Sequence, residues 1–158
     1  MPRFFEGNLI APKGRFALTV SRFNSFITEP LLNGALDTLR RHGVDDQQLD
    51  VYRVPGTFEL PGVTRRVIES GRYVGVIALG CVIRGGTPHF EYVSSEVSKG
   101  IGQLAANAEV AVTFGVLTCD TVEQAVDRAG VKAGNKGAEA AVALIELVNL
   151  HALIGAGK

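Results

Sequence analysis

Four short apolar runs, each followed by a segment of helical periodicity, limit the folds open to this chain. Phe16–Val20, Asp50–Val54, Val74–Leu79 and Val110–Thr118 have the length and side chains of strands. Val74–Leu79 is apolar throughout, so it reads as a strand covered on both faces. After the first run, Leu31, Leu32, Ala35, Leu36 and Leu39 recur at helical spacing, with Thr28 placed as the N-cap and Gly43 as the stop. Thr57–Pro61 leads into a second helix that ends before Gly71. A third helix is expected over Tyr92–Asn107, carrying Val93, Val97, Ile101 and Leu104. Thr121–Gln124 has a capping-box pattern for a fourth helix ending near Gly130. A last helix is expected from about Ala138, with a broad apolar face.

Strand and helix in strict alternation predict a parallel sheet with helices on both faces. Right-handed crossovers leave few topologies. The expected fold is therefore a flavodoxin-like three-layer α/β sandwich around a four-stranded parallel core sheet. At 158 residues, with no repeat and no linker, residues 1–158 read as one domain with an N-terminal arm over 1–14. Arg3–Glu6 reads as a short strand with no partner in its own chain, available to a neighbour's sheet edge; it also reads as a frayed tail.

Composition narrows the function. Sixteen basic residues balance sixteen acidic ones, which argues against nucleic acid or a membrane surface as partner. No uninterrupted apolar run of about 18 residues is present. Cys81 and Cys119 have no metal-ligand or redox spacing, so they read as reduced, partly buried thiols of a cytoplasmic protein, and no metal site is expected. An apolar share of 46% and a mean hydropathy of +0.20 are high for a small domain and point to buried subunit contacts.

Gly80–Phe90 is the stretch richest in chemistry. Gly85 and Gly86 let main-chain N–H groups approach an anion, Thr87 adds a hydroxyl, and the next helix turns its positive end to the same place. His89 follows, with a side chain suited to moving protons near neutral pH. The same loop also reads as a tight turn with a solvated histidine. Phe23 sits past the end of the first strand, where its ring can stack on a flat ligand or plug the core. Glu59 can accept N–H bonds from a heterocycle, or simply face a helix dipole. In a parallel sheet the strand ends gather Phe23, Thr57–Glu59, Cys81–His89 and Phe114–Cys119 along one edge, and that convergence favours a site.

Five ordered motifs carry a family likeness: Ser21–Asn24, Val54–Pro61, Gly80–Phe90, Thr113–Thr118 and Arg128–Gly137. Together they resemble the lumazine synthases over nearly the whole chain. The departures are Gly86, where many members carry alanine or glutamate, and Cys81, where a small residue is usual. The resemblance implies condensation of 5-amino-6-(D-ribitylamino)uracil with 3,4-dihydroxy-2-butanone 4-phosphate, the penultimate step of riboflavin synthesis, without cofactor or metal. It implies that Phe23 stacks on the pyrimidine. Asn24, Thr57, Phe58 and Glu59 hold the ring edge and ribityl chain, with main-chain groups of Cys81, Val82 and Ile83. Gly86, Thr87 and Arg128 hold phosphate, and His89 shuttles protons. Phe114 and Lys136 line the pocket from an adjacent subunit. It further implies a homo-oligomer, at least a pentamer and in extension a shell of twelve pentamers. Partnership with riboflavin synthase stays open.

Two other classes weigh less. A flavodoxin-type binding module would hold phosphate after the first strand with glycine, and Ser21–Phe26 has none. A phospho-acceptor domain would end that strand in aspartate. A purely structural shell protein is the third reading.

Overall fold

The computed structural model describes residues 1–157. Four strands, β1 (Phe16–Ser21), β2 (Leu49–Val54), β3 (Gly75–Ile83) and β4 (Ala111–Cys119), form one sheet in the order β2-β1-β3-β4. Every pairing is parallel. Five helices accompany them: α1 (Ser25–Arg41), α2 (Leu60–Glu69), α3 (His89–Asn107), α4 (Val122–Arg128) and α5 (Lys136–Ala156). The three-layer architecture is as the sequence predicts.

Side chains alternate along each strand and so feed two layers. Phe16, Leu18 and Val20 of β1, with Ile77 and Leu79 of β3, pack against Leu31, Leu39, Leu144 and Ile145 of α1 and α5. The opposite face sets Ala78, Val82, Val112 and Val116 against Leu60, Val93, Val97 and Ile101 of α2 and α3. Burying each large aliphatic or aromatic side chain contributes about 1.5–3 kcal/mol, so these two layers dominate the favourable side of folding. By length and composition α5 can cross a bilayer. Its first half packs into the core, with Gly137, Ala140, Ala141, Leu144 and Ile145 buried, while residues 151–156 are exposed.

Most boundaries shift by a residue or two from the sequence reading, and three differ by more. The strand expected to stop at Leu79 runs on to Ile83, because β4 keeps pairing with it as far as Cys119. Gly80 is therefore no breaker. A Cβ there would stand 2.9 Å from Leu60 Cδ1 and 3.0 Å from Thr57 Cγ2, so the glycine admits close packing of the α2 entrance. The helix expected from Thr28 starts at Ser25 instead, because Asn24 turns the chain in the left-handed region at φ 62°. Thr28 is not the cap; its hydroxyl is buried without a hydrogen-bond partner among the described residues. The helix expected from Tyr92 starts at His89, behind Pro88, whose ring fixes a φ of −71° suited to a helix entry.

Arg3–Glu6 forms no strand within the single chain. The arm instead lies along α5, where Asn149 Nδ2 donates to the Asn8 and Ile10 carbonyls at 2.8 and 2.9 Å. Phe4 and Phe5 remain exposed.

Candidate active site

Connectivity decides where a ligand can enter. From β1 the chain crosses to β2, and from β3 it crosses the other way to β4. The loops leaving β1 and β3 therefore part, and a crevice opens between them at the carboxyl ends. A cavity of about 700 Å³ lies there. Phe23 and Asn24 line it from the β1 end, Thr57, Phe58 and Glu59 from the β2 end, and Cys81–Ile83, Gly85, Thr87 and His89 from the β3 end.

Its wall is built from shared hydrogen bonds. Asn24 Nδ2 donates to the Cys81 carbonyl at 3.1 Å. Thr57 Oγ1, which is buried, donates to the same carbonyl and shares a hydrogen bond with Ser21 Oγ, each at 3.3 Å. Asn24 and Thr57 thus tie the ends of β1, β2 and β3 together. Phe23 and Phe58 are free, at 69% and 59% exposure, so both rings can take a flat ligand. Glu59 precedes α2 and is exposed; its N–H bonds the Gly56 carbonyl at 3.2 Å.

The glycine-rich segment is shorter than expected, Arg84–Pro88, and it is fastened at its first residue. Arg84 N–H donates to the Cys119 carbonyl at 2.8 Å. Its guanidinium pairs with Asp120 at 2.8 Å and Glu91 at 3.1 Å, and lies over the Phe90 ring. These bonds join the loop to the end of β4 and the first turn of α3. His89, Thr87 and Gly86 are exposed beyond them. Gly85 rather than Gly86 lines the cavity.

Phe114, Arg128 and Lys136 are not in this cavity. They line a second cleft of about 420 Å³, with Leu117, Cys119 and Ala133. One chain therefore keeps Arg128 apart from Thr87 and His89, and the convergence expected of all four strand ends is split in two. Burial pushes the Cys81 thiol up to about 12, with the neighbouring Cys119 adding to it. Cys119 is raised by burial too, against an opposing pull from the Arg128 guanidinium. Both cysteines are free thiols, and neither is set up as a nucleophile.

Sequence reasoning did not single out Tyr92, Phe90, Val93, Pro55 or Gly56, which also line the first cavity. Tyr92 is the exposed one of the three on α3, one helical turn past His89. That spacing of three was the available signal. His42 and His151 line neither cleft. Among the described residues no cluster of His, Cys, Asp or Glu is arranged to hold a metal ion.

A parallel α/β sheet with aromatic, hydroxyl, carboxylate and imidazole groups around its switch point defines a flavodoxin-like protein with a small-molecule cleft. Within that class the family model described as 6,7-dimethyl-8-ribityllumazine synthase matches residues 13–152. The chain belongs to that family. It is 66% identical to the 6,7-dimethyl-8-ribityllumazine synthase of Myxococcus xanthus (strain DK1622), over 99% of this chain and 96% of the other. It is 63% identical to the protein of the same name from Anaeromyxobacter sp. (strain K), over 92% and 90% of the two chains.

Proposed function

We propose that this chain condenses 5-amino-6-(D-ribitylamino)uracil with 3,4-dihydroxy-2-butanone 4-phosphate to give 6,7-dimethyl-8-ribityllumazine, phosphate and water. The observation that carries the reading is the cleft at the switch point, with Phe23, Phe58, Thr87 and His89 around one space in a member of this family. Phe23 stacks on the pyrimidine. Phe58, Glu59 and the main chain of Cys81–Ile83 take the ring edge and ribityl chain, while Asn24 and Thr57 hold that wall in shape. Thr87 and Gly86 meet the phosphate, and His89 moves protons during imine formation, elimination of phosphate and ring closure. These steps move protons rather than electrons, so the reading includes no cofactor.

The second cleft suggests how the site is completed. In this reading a neighbour's Phe114, Arg128 and Lys136 face the first cavity, and residues 1–158 act as one domain within a pentamer. Twelve pentamers then close a shell, in the cytoplasm. The short turn Gly130–Gly137 and the exposed Phe4 and Phe5 are compatible with such contacts. Partnership with riboflavin synthase belongs to the same reading. Holding amine and ketone in line can remove several kcal/mol of barrier, and the histidine's share as acid and base is ~10²- to 10⁴-fold.

The test is one turnover assay with both substrates, following lumazine fluorescence and released phosphate. Formation of both products in equal amounts supports the reading. A folded protein that forms neither overturns it.

A further inference from the structure

The turn that carries Arg128 and Lys136 is held from inside by a side chain to which the proposed reaction gives no part. Arg128 ends α4 and Lys136 opens α5. Between them the chain reverses, with Gly130 and Gly134 at φ 112° and 80° and an antiparallel bridge from Ala129 to Asn135. The N–H groups of Lys132 and Ala133 both reach the Asp127 carbonyl, at 3.2 and 2.8 Å.

Asn135 closes this turn with three hydrogen bonds. Its Nδ2 donates to the Ala129 carbonyl at 3.2 Å and to the Pro30 carbonyl of α1 at 3.0 Å. Its Oδ1 accepts from the Ala138 N–H at 3.0 Å and so caps α5. Two carbonyls at one end of the amide and an N–H at the other fix its orientation. The half-buried amide thereby joins the end of α4, the start of α5 and the flank of α1. Gly34 on α1 leaves the room for it: a Cβ there would stand 2.5 Å from Asn135 Nδ2.

The geometry points to Asn135 as a positioning residue for the phosphate-bearing substrate, setting the separation of the Arg128 guanidinium and the Lys136 ammonium. The inference rests on the assignment of phosphate to Arg128 in the proposed function. Both cations sit on long, flexible side chains, Arg128 exposed and Lys136 half-buried, so their spacing is set first at the main chain. α4 has seven residues and reaches α5 through a turn containing two positive-φ glycines, which resist displacement weakly by themselves. Asn135 supplies the missing constraint.

Two variants test this from different sides. Asn135→Ser keeps an oxygen that can cap α5 and loses both donors. Gly34→Ala alters no residue of the turn and pushes the Asn135 amide away from α1. A Cβ at Gly34 would meet Asn135 Nδ2 at 2.5 Å, so a purely structural role for Gly34 predicts a lower melting temperature with unchanged affinities. The measurements are steady-state kinetics with both substrates and calorimetric titration with inorganic phosphate. Each variant is expected to raise the KM for butanone phosphate and the Kd for phosphate by roughly tenfold, the scale of one well-placed hydrogen bond. The KM for the pyrimidine is expected to stay unchanged. On an Arg128→Ala background the same changes are expected to add nothing, because no guanidinium is left to position. Equal rises for both substrates overturn the inference, as does a rise that persists undiminished without Arg128. Where Asn135→Ser does not fold, Gly34→Ala carries the test alone. A wild-type protein that makes no lumazine overturns the proposed function, while the phosphate titrations still decide whether Asn135 acts through Arg128.

Discussion

The Asn24 side-chain amide donates to the main-chain carbonyl of Cys81 across 3.1 Å, bridging the ends of β1 and β3 where the sheet changes direction. Asn24 reaches it from a left-handed backbone, and the same turn swings Phe23 outward to 69% exposure. A residue assigned to ligand binding by resemblance is here also the strut that presents the stacking ring.

Phe23→Ala is expected to weaken pyrimidine binding more than butanone phosphate binding. Base–aromatic stacking is worth ~1–3 kcal/mol in comparable settings. Titrations with each substrate separately check this, and equal losses for both count against stacking.

Arg128→Ala is expected to damage catalysis more than His89→Ala. The guanidinium can bind phosphate bidentately, and charge-assisted hydrogen bonds are about twice as strong as neutral ones. Its loss removes both anchoring and stabilisation of the departing anion. His89 is exposed, so water can partly replace it, and its loss is expected near the low end of ~10²- to 10⁴-fold. Steady-state kinetics of the two variants decide; a dead His89→Ala beside a nearly intact Arg128→Ala contradicts the phosphate assignment.

The protein is expected to be oligomeric in solution, because one chain holds its two clefts apart, and the resemblance implies at least a pentamer. Light scattering checks this. A stable, active monomer rules it out, and a discrete pentamer removes only the shell.

Stability is expected to fall at both ends of the pH scale through one cluster at the other edge of the sheet. Asp50 accepts hydrogen bonds from Arg15 at 2.7 Å and from the Tyr73 hydroxyl at 2.6 Å, and the Arg15 bond foremost holds its carboxyl below the usual range. A lowered carboxylate stabilises above its unfolded value, about 3.9, and loses that contribution as pH falls through the folded value. Tyr73 is shifted the other way, first by burial and then by its bond to Asp50. Its contribution is present below the unfolded value of about 10 and is lost as pH rises beyond it. Thermal melts across pH are expected to show a shallower acid limb for Asp50→Asn and a shallower alkaline limb for Tyr73→Phe. Limbs unchanged from wild type in both variants sink the account.

The layers, the four strands and the carboxyl-edge cleft were legible in the sequence because each rests on periodicity. β1 alternates its buried faces over six residues, and Leu31 to Leu39 keep one helical stripe. What failed rests on tertiary contact. Gly80 looks like punctuation until Leu60 and Thr57 are packed on it. Thr28 looks like a cap until Asn24 takes a left-handed turn four residues earlier. Read residue by residue, the strand ends converge on one site, and only the resemblance set Phe114 and Lys136 apart: Phe114 packs its side chain with the α2 and α3 layer, yet it lines the second cleft together with Lys136 of α5.

In the proposed reading, where a neighbour's second cleft completes each site, the separated clefts also govern how many working centres an assembly has. A head-to-tail row of copies always leaves one unmatched cleft at each end, whereas a closed ring leaves none. Copy number and number of complete centres are equal only after closure, so dilution that opens rings removes centres before it unfolds chains. Mixed rings obey the same counting. A His89 variant and an Arg128 variant, each impaired everywhere alone, place two unaltered halves face to face in about a quarter of the junctions when combined at random in equal amounts.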